Sequence, residues 1–182
     1  VAGVTIDNLD FKVDLTKLSS AIIASGSNID NLTIQNNLIE AIGSSAAASA
    51  GTFGDRNAIS VNYTGSTNYR IAASGVHNLL VQNNTITGTL NDGFLQPRFF
   101  RSGVSMDEGG GTFDNNTIQT MTHDILVRFG SNGNINVTNN ILNGSGVEFA
   151  PVSDEMIQNL NINGLVPVII NVTPATNLPM LL

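Results

Sequence analysis

No cysteine occurs among the 182 residues, which excludes disulfides, thiol nucleophiles and thiolate metal ligands. That absence fits many large secreted bacterial proteins. Charge is scarce as well. Charged residues make up 12% of the chain, and 7 basic residues against 14 acidic ones leave a net charge of −7. Phosphate binding requires a basic surface, and the only lysines are Lys12 and Lys17, with no run of Lys or Arg anywhere. A nucleic-acid partner is therefore not expected. Long apolar runs are missing too. The longest, 165–170, is interrupted by Pro167 and falls far short of the roughly 18 residues that span a bilayer, so no membrane insertion is expected. The chain opens at Val1 without a methionine or signal-peptide pattern and ends on Pro179, Met180, Leu181 and Leu182. We expect a domain excised from a larger chain, with neighbouring domains as partners.

What is present is a repeat. Hydrophobic residues reach 41%, enough for one ordinary domain with a substantial core over 1–182. Few charges with much Asn, Gly, Ser and Thr favour an all-β chain. The pair Asn-Asn recurs with its first member at 36, 83, 115 and 139. Each pair follows a short apolar/polar alternation, and a second alternation follows it, as strands with one buried face require. Weaker copies place Asn8 and Gly164 in the same position, the latter with Pro167 nearby. The shortest steps, 115 to 139 and 139 to 164, are 24 and 25 residues. A period in the low twenties built from strands alone indicates a solenoid. Four apolar columns follow: Ile34, Val81, Phe113, Val137 and Ile162 before the pair; Phe11, Ile39, Ile86, Ile118 and Leu142 after it. The other two are Ile59, Val104, Ile125 and Val147, and Val61, Met106, Val127 and Phe149. A brief helical turn is conceivable near 15–23.

This pattern resembles the right-handed parallel β-helix family, the pectate-lyase-like solenoids with an Asn ladder, over residues 4–170. The resemblance implies about five to six coils, with 171–182 an irregular C-terminal tail. It also implies that Asn36, Asn83, Asn115 and Asn139, or their immediate partners, take a left-handed backbone at a bend. Copies one coil apart would then hydrogen-bond in a ladder. The sequence does not decide which member of each pair faces inward.

Insertions in a solenoid become loops, and loops carry function. Residues 43–57, 64–75 and 89–101 interrupt the repeat and hold four of the seven basic residues, Arg56, Arg70, Arg98 and Arg101. Tyr69, Arg70, Phe94, Arg98, Phe99, Phe100 and Arg101 form the candidate ligand-binding patch, suited to stacking on sugars and pairing with carboxylates. The plainer reading is that Phe99 and Phe100 anchor a long loop. Asp107, His123 and Arg128 are the candidate catalytic residues. In β-helical polysaccharide lyases and epimerases a base removes a sugar proton while a cation stabilises the developing charge. The plainer reading is an Asp107–Arg128 salt bridge between adjacent coils. No transition-metal site is expected; calcium is conceivable near Asp107 and Glu108 or near Asp154 and Glu155. The preferred expectation is a non-catalytic scaffold or adhesion module, extracellular or on the cell surface, binding a polysaccharide or cell-surface glycan. The alternative is a lyase or epimerase acting on an acidic polysaccharide.

Overall fold

The computed structural model describes residues 3–15, 17–26, 29–42, 56–62, 76–88, 100–107, 109–120, 123–128, 135–144, 146–149, 160–162 and 168–170. The strands fall into three sheets. The first contains β1 (Thr5–Asp7), β4 (Ile29–Asp30), β5 (Thr33–Gln35), β8 (Val76–Gln82), β11 (Gly109–Asp114), β14 (Ile135–Thr138) and β17 (Leu160–Ile162). In the second are β2 (Asp10–Asp14), β6 (Leu38–Ile42), β9 (Thr85–Gly88), β12 (Thr117–Ile118) and β15 (Ile141–Leu142). To the third belong β3 (Ile22–Ala24), β7 (Asn57–Val61), β10 (Ser102–Asp107), β13 (His123–Arg128), β16 (Val147–Phe149) and β18 (Val168–Ile170). All pairings are parallel. The described residues contain no helix; the segment after β2 makes a single turn, with Lys17 N and Leu18 N both donating to Asp14 O at 2.9 Å.

Chain order explains the parallel pairing. From β5 to β16 the backbone visits the first, second and third sheets in strict rotation, so each circuit adds one strand to every sheet. The four apolar columns are the observed register: Ile34 pairs with Val81, Val81 with Phe113, and Phe113 with Val137. Ile39, Ile86 and Ile118 align likewise, as do Ile59, Val104 and Ile125, and Val61, Met106 and Val127. These side chains are completely buried and form one core. β-branched residues dominate the columns because they pack well on a pleated surface that is buried on one side.

The three sheets differ on their other face. In the first and second, the positions between the columns are exposed or half-buried. In the third, β7 and β10 are buried at every residue and β13 at all but its ends. The insertions that begin after β6 and β9 both lie on the passage from second to third sheet. That passage shrinks to four residues between β12 and β13 and between β15 and β16.

Candidate functional site

Each bend from first to second sheet is two residues long, and its two asparagines do different work. The first member is left-handed: φ is 56° at Asn36, 55° at Asn83, 53° at Asn115 and 56° at Asn139, with Asn8 at 56°. Asn tolerates this region better than most residues with a Cβ. Among the described residues every non-glycine with positive φ is an asparagine, including Asn31 and Asn62 at other bends and Asn78 within β8. Backbone geometry therefore accounts for much of the asparagine usage.

The second member is the inward one. Asn37 N and Nδ2 both donate to Asn84 Oδ1, at 3.1 and 3.0 Å. Asn84 repeats this on Asn116 Oδ1 at 3.0 and 3.0 Å, and Asn116 on Asn140 Oδ1 at 2.9 and 2.9 Å. The remaining amide proton returns to the strand one circuit back: Asn37 to Ile6 O, Asn84 to Ile34 O, Asn116 to Val81 O and Asn140 to Phe113 O, at 2.8–3.1 Å. For Asn37, Asn84 and Asn116 the backbone N, both amide protons and the carbonyl oxygen are all bonded. Assigning the ladder to Asn36, Asn83, Asn115 and Asn139 is thus corrected for the buried side: those four shape the bend, and their partners bond the stack. Outside, the first members bond in exposed positions, Asn115 to Asn83 at 2.7 Å, Asn36 to Asp7 at 2.8 Å and Asn139 to Asp114 at 2.9 Å. Bonds from Asn36 and Gln35 hold the Asp7 carboxyl below its ordinary value.

The buried charged residues, Arg56, Asp107 and Asp124, lie on or beside the third sheet. Asp107 and Arg128 are register partners on β10 and β13. Arg128 Nε donates to Asp107 Oδ1 and Nη2 to Oδ2, both at 2.8 Å. Their side chains are only 4% and 13% exposed, so this is not the solvent-exposed bridge that short outward residues suggest. One strand further, His123 Nδ1 lies 2.6 Å from Glu148 Oε2, at ion-pair distance but without hydrogen-bond alignment. Ser105, in register between Ser60 and Leu126, is fully buried, and among the described residues its hydroxyl has no partner. The catalytic candidates thus share one sheet, but Asp107 and Arg128 face each other while His123 faces Glu148.

Asp124 is the residue whose role sequence reasoning missed. It is completely buried at the start of β13. Its Oδ1 accepts from Thr120 Oγ1 at 2.9 Å, and its Oδ2 from Gly144 N at 2.8 Å and Gly146 N at 3.1 Å. Burial pushes its carboxyl above the ordinary value, against the opposing pull of those bonds and of the His123 charge. The clasp also demands glycine one circuit later: a Cβ on Gly144 would sit 2.6 Å from Asp124 Oδ1 and 2.7 Å from Thr120 Oγ1.

Of the loop candidates, Phe100 is completely buried in the core, so its place in an exposed patch is corrected to that of an anchor. Arg101 is exposed, with its backbone N donating to Arg56 O at 2.9 Å. Tyr69, Arg70, Phe94, Arg98 and Phe99 lie outside the described residues, as do Gly164, Pro167 and the 171–182 tail. For calcium, Asp107 has both carboxylate oxygens on Arg128, and Glu108, Asp154 and Glu155 lie outside the described residues. Among the described residues no group of three or more His, Asp or Glu could hold a metal ion, and no helix is long and apolar enough to cross a membrane.

Comparison with protein-family models, curated proteins and solved structures gave no match. Function rests on geometry.

Proposed function

We propose that the three sheets are the walls of a right-handed parallel β-helix, and that the chain is a non-catalytic module of a secreted or cell-surface bacterial protein. It is a rigid scaffold that holds loops 43–57, 64–75 and 89–101 against a glycan or another surface. One observation carries the choice of scaffold over enzyme. Asp107 and Arg128, the candidate base and stabilising cation, hold each other through two 2.8 Å bonds in near-complete burial. A general base needs a lone pair that faces the substrate proton, and a cation already bonded to a carboxylate has little field left for developing charge.

A second reading, a lyase or epimerase acting on an acidic polysaccharide, draws support from His123. Its Nδ1 is beside Glu148, and a carboxylate on one ring nitrogen is how a histidine base is oriented. Its side chain is 22% exposed. One assay separates the two. The chain is incubated with a panel of uronic-acid polysaccharides while binding and the ultraviolet absorbance of unsaturated products are followed, with NMR of the polymer to detect epimerisation. The scaffold reading expects binding that Phe99→Ala weakens, and no product. Absorbance or epimerised product that disappears in His123→Ala, Asp107→Ala or Arg128→Ala overturns it.

A further inference from the structure

The passage from β15 to β16 contains the dipeptide Asn143-Gly144. Asn143 is exposed, and its backbone N donates to Ile118 O at 2.9 Å. Gly144 N donates to the buried Asp124 Oδ2 at 2.8 Å. Glycine is required at 144, because a Cβ would press on both Asp124 and Thr120. Asn-Gly is also the dipeptide in which the following backbone nitrogen meets least steric obstruction on its way to the asparagine side chain, and asparagine is among the thermolabile residues. The packing that demands glycine has therefore created a chemically labile bond on the protein surface.

We propose that Asn143 is a deamidation site kept latent by Asp124. In the reaction Gly144 N attacks Asn143 Cγ, the N–Cγ bond forms as the Gly144 proton leaves, and the Cγ–Nδ2 bond breaks to release ammonia. Water then opens the cyclic imide to aspartate or isoaspartate; the net change consumes one water and produces one ammonia, with no redox step. While Gly144 N–H points at the Asp124 carboxylate, the nucleophile is turned toward a buried acceptor and held in place. Thr120 and Gly146 hold that carboxylate from two further directions. Opening of this clasp starts the reaction. An isoaspartate at 143 would lengthen the main chain by one methylene just before the corner, and any product would add a negative charge. Both displace the passage into β16 from its register on β13.

The chain carries its own references, since Asn132-Gly133 and Asn163-Gly164 are the other Asn-Gly dipeptides. The intact chain is incubated at mildly alkaline pH and each site is followed by peptide mass mapping, in buffer and in denaturing urea. In urea the three sites should convert at similar rates. In buffer Asn143 should be the slowest by at least roughly tenfold, the factor that one hydrogen bond to a charged acceptor represents. Asp124→Ala should speed Asn143 in buffer and leave Asn132 and Asn163 unchanged. If that variant fails to fold, the urea-to-buffer ratio of the native chain still decides. Equal rates at the three sites in buffer, or a folded Asp124→Ala variant with Asn143 unchanged, would overturn the proposal.

Discussion

The bend between the first and second sheets and the face of the third sheet both join successive circuits through buried polar groups, yet only the bend repeats itself. Four amides in line, Asn37, Asn84, Asn116 and Asn140, make the same bonds at every step. On the third sheet no contact is repeated: Asp107 pairs with Arg128, Asp124 bonds Thr120 and two glycines, and His123 lies beside Glu148. The reason lies in the donor and acceptor inventory. A carboxamide both donates and accepts, so identical copies can pass hydrogen bonds along indefinitely. An ionised carboxylate only accepts, and two stacked carboxylates repel, so each needs a different partner. Neutral amides build a ladder; ions build single clasps.

The sharpest way to break this contrast is to remove one rung. Asn116→Ala leaves Asn84 N and Nδ2 without their shared acceptor and removes the side-chain donor to Val81 O and to Asn140 Oδ1, while the backbone N of residue 116 still donates to Asn140 Oδ1. Buried groups left unpaired cost about 1–3 kcal/mol each when nothing relaxes. Partial relaxation brings the expected loss to about 3–5 kcal/mol, read from urea unfolding. Asn115→Gly on the exposed side keeps the left-handed turn, so its loss should stay below about 1 kcal/mol. Equal losses at 115 and 116 would mean that the buried amides are no more important than the exposed ones.

The next largest effect tests whether a clasp behaves as a clasp. Arg128→Ala leaves Asp107 charged and nearly buried, which should cost about 2–4 kcal/mol, while the double change Asp107→Leu with Arg128→Met should recover most of it. Recovery by the double variant would show that nothing but the pair's own geometry is at stake. A double variant as unstable as the single one would show that Asp107 or Arg128 serves another partner.

How much of this was readable from sequence follows the same division. The repeat, the four columns and the bend were readable because each is stated several times, so Ile34, Val81, Phe113 and Val137 confirm one another. Which asparagine faces inward was not, since both members are polar and the alternation of apolar residues is interrupted at the bend itself. Asp124 was unreadable for a different reason. Its partners Gly144 and Gly146 are backbone donors some 20 residues away, and a backbone N–H leaves no mark on composition. Phe100 could be read either as a loop anchor or as part of a ligand patch, because its burial depends on a core supplied by other circuits.

Acidity gives a smaller, signed comparison. Asp124 titrates above its ordinary value in the folded chain, so the native state binds more protons than the unfolded one from pH 3.8 up to the raised value. Stability is lost as pH rises through that window. Asp7 titrates below its ordinary value because Asn36 and Gln35 donate to it, so its contribution is lost as pH falls below 3.8. Urea midpoints across pH 3–7 should therefore respond in opposite senses. Asp124→Asn should flatten the loss on the alkaline side of 3.8, and Asp7→Asn the loss on the acid side. The same sign for both variants would contradict the difference between clasp and ladder.

The smallest expected effect extends the ladder instead of breaking it. In the first circuit Leu9 occupies the slot that asparagine fills later, and its backbone N already donates to Asn37 Oδ1 at 3.0 Å. Its side chain contributes nothing to the ladder and Leu9 is 49% exposed. Leu9→Asn would place a second donor on Asn37 Oδ1, as Asn37 does for Asn84, and should add about 0.5–1 kcal/mol. The gain is limited because this edge is open to water, which competes for the same amide, whereas the inner rungs are buried. A gain as large as the loss in Asn116→Ala would mean that rung strength owes nothing to burial. No gain at all would mean that an amide becomes part of the ladder only when it is bonded on both sides.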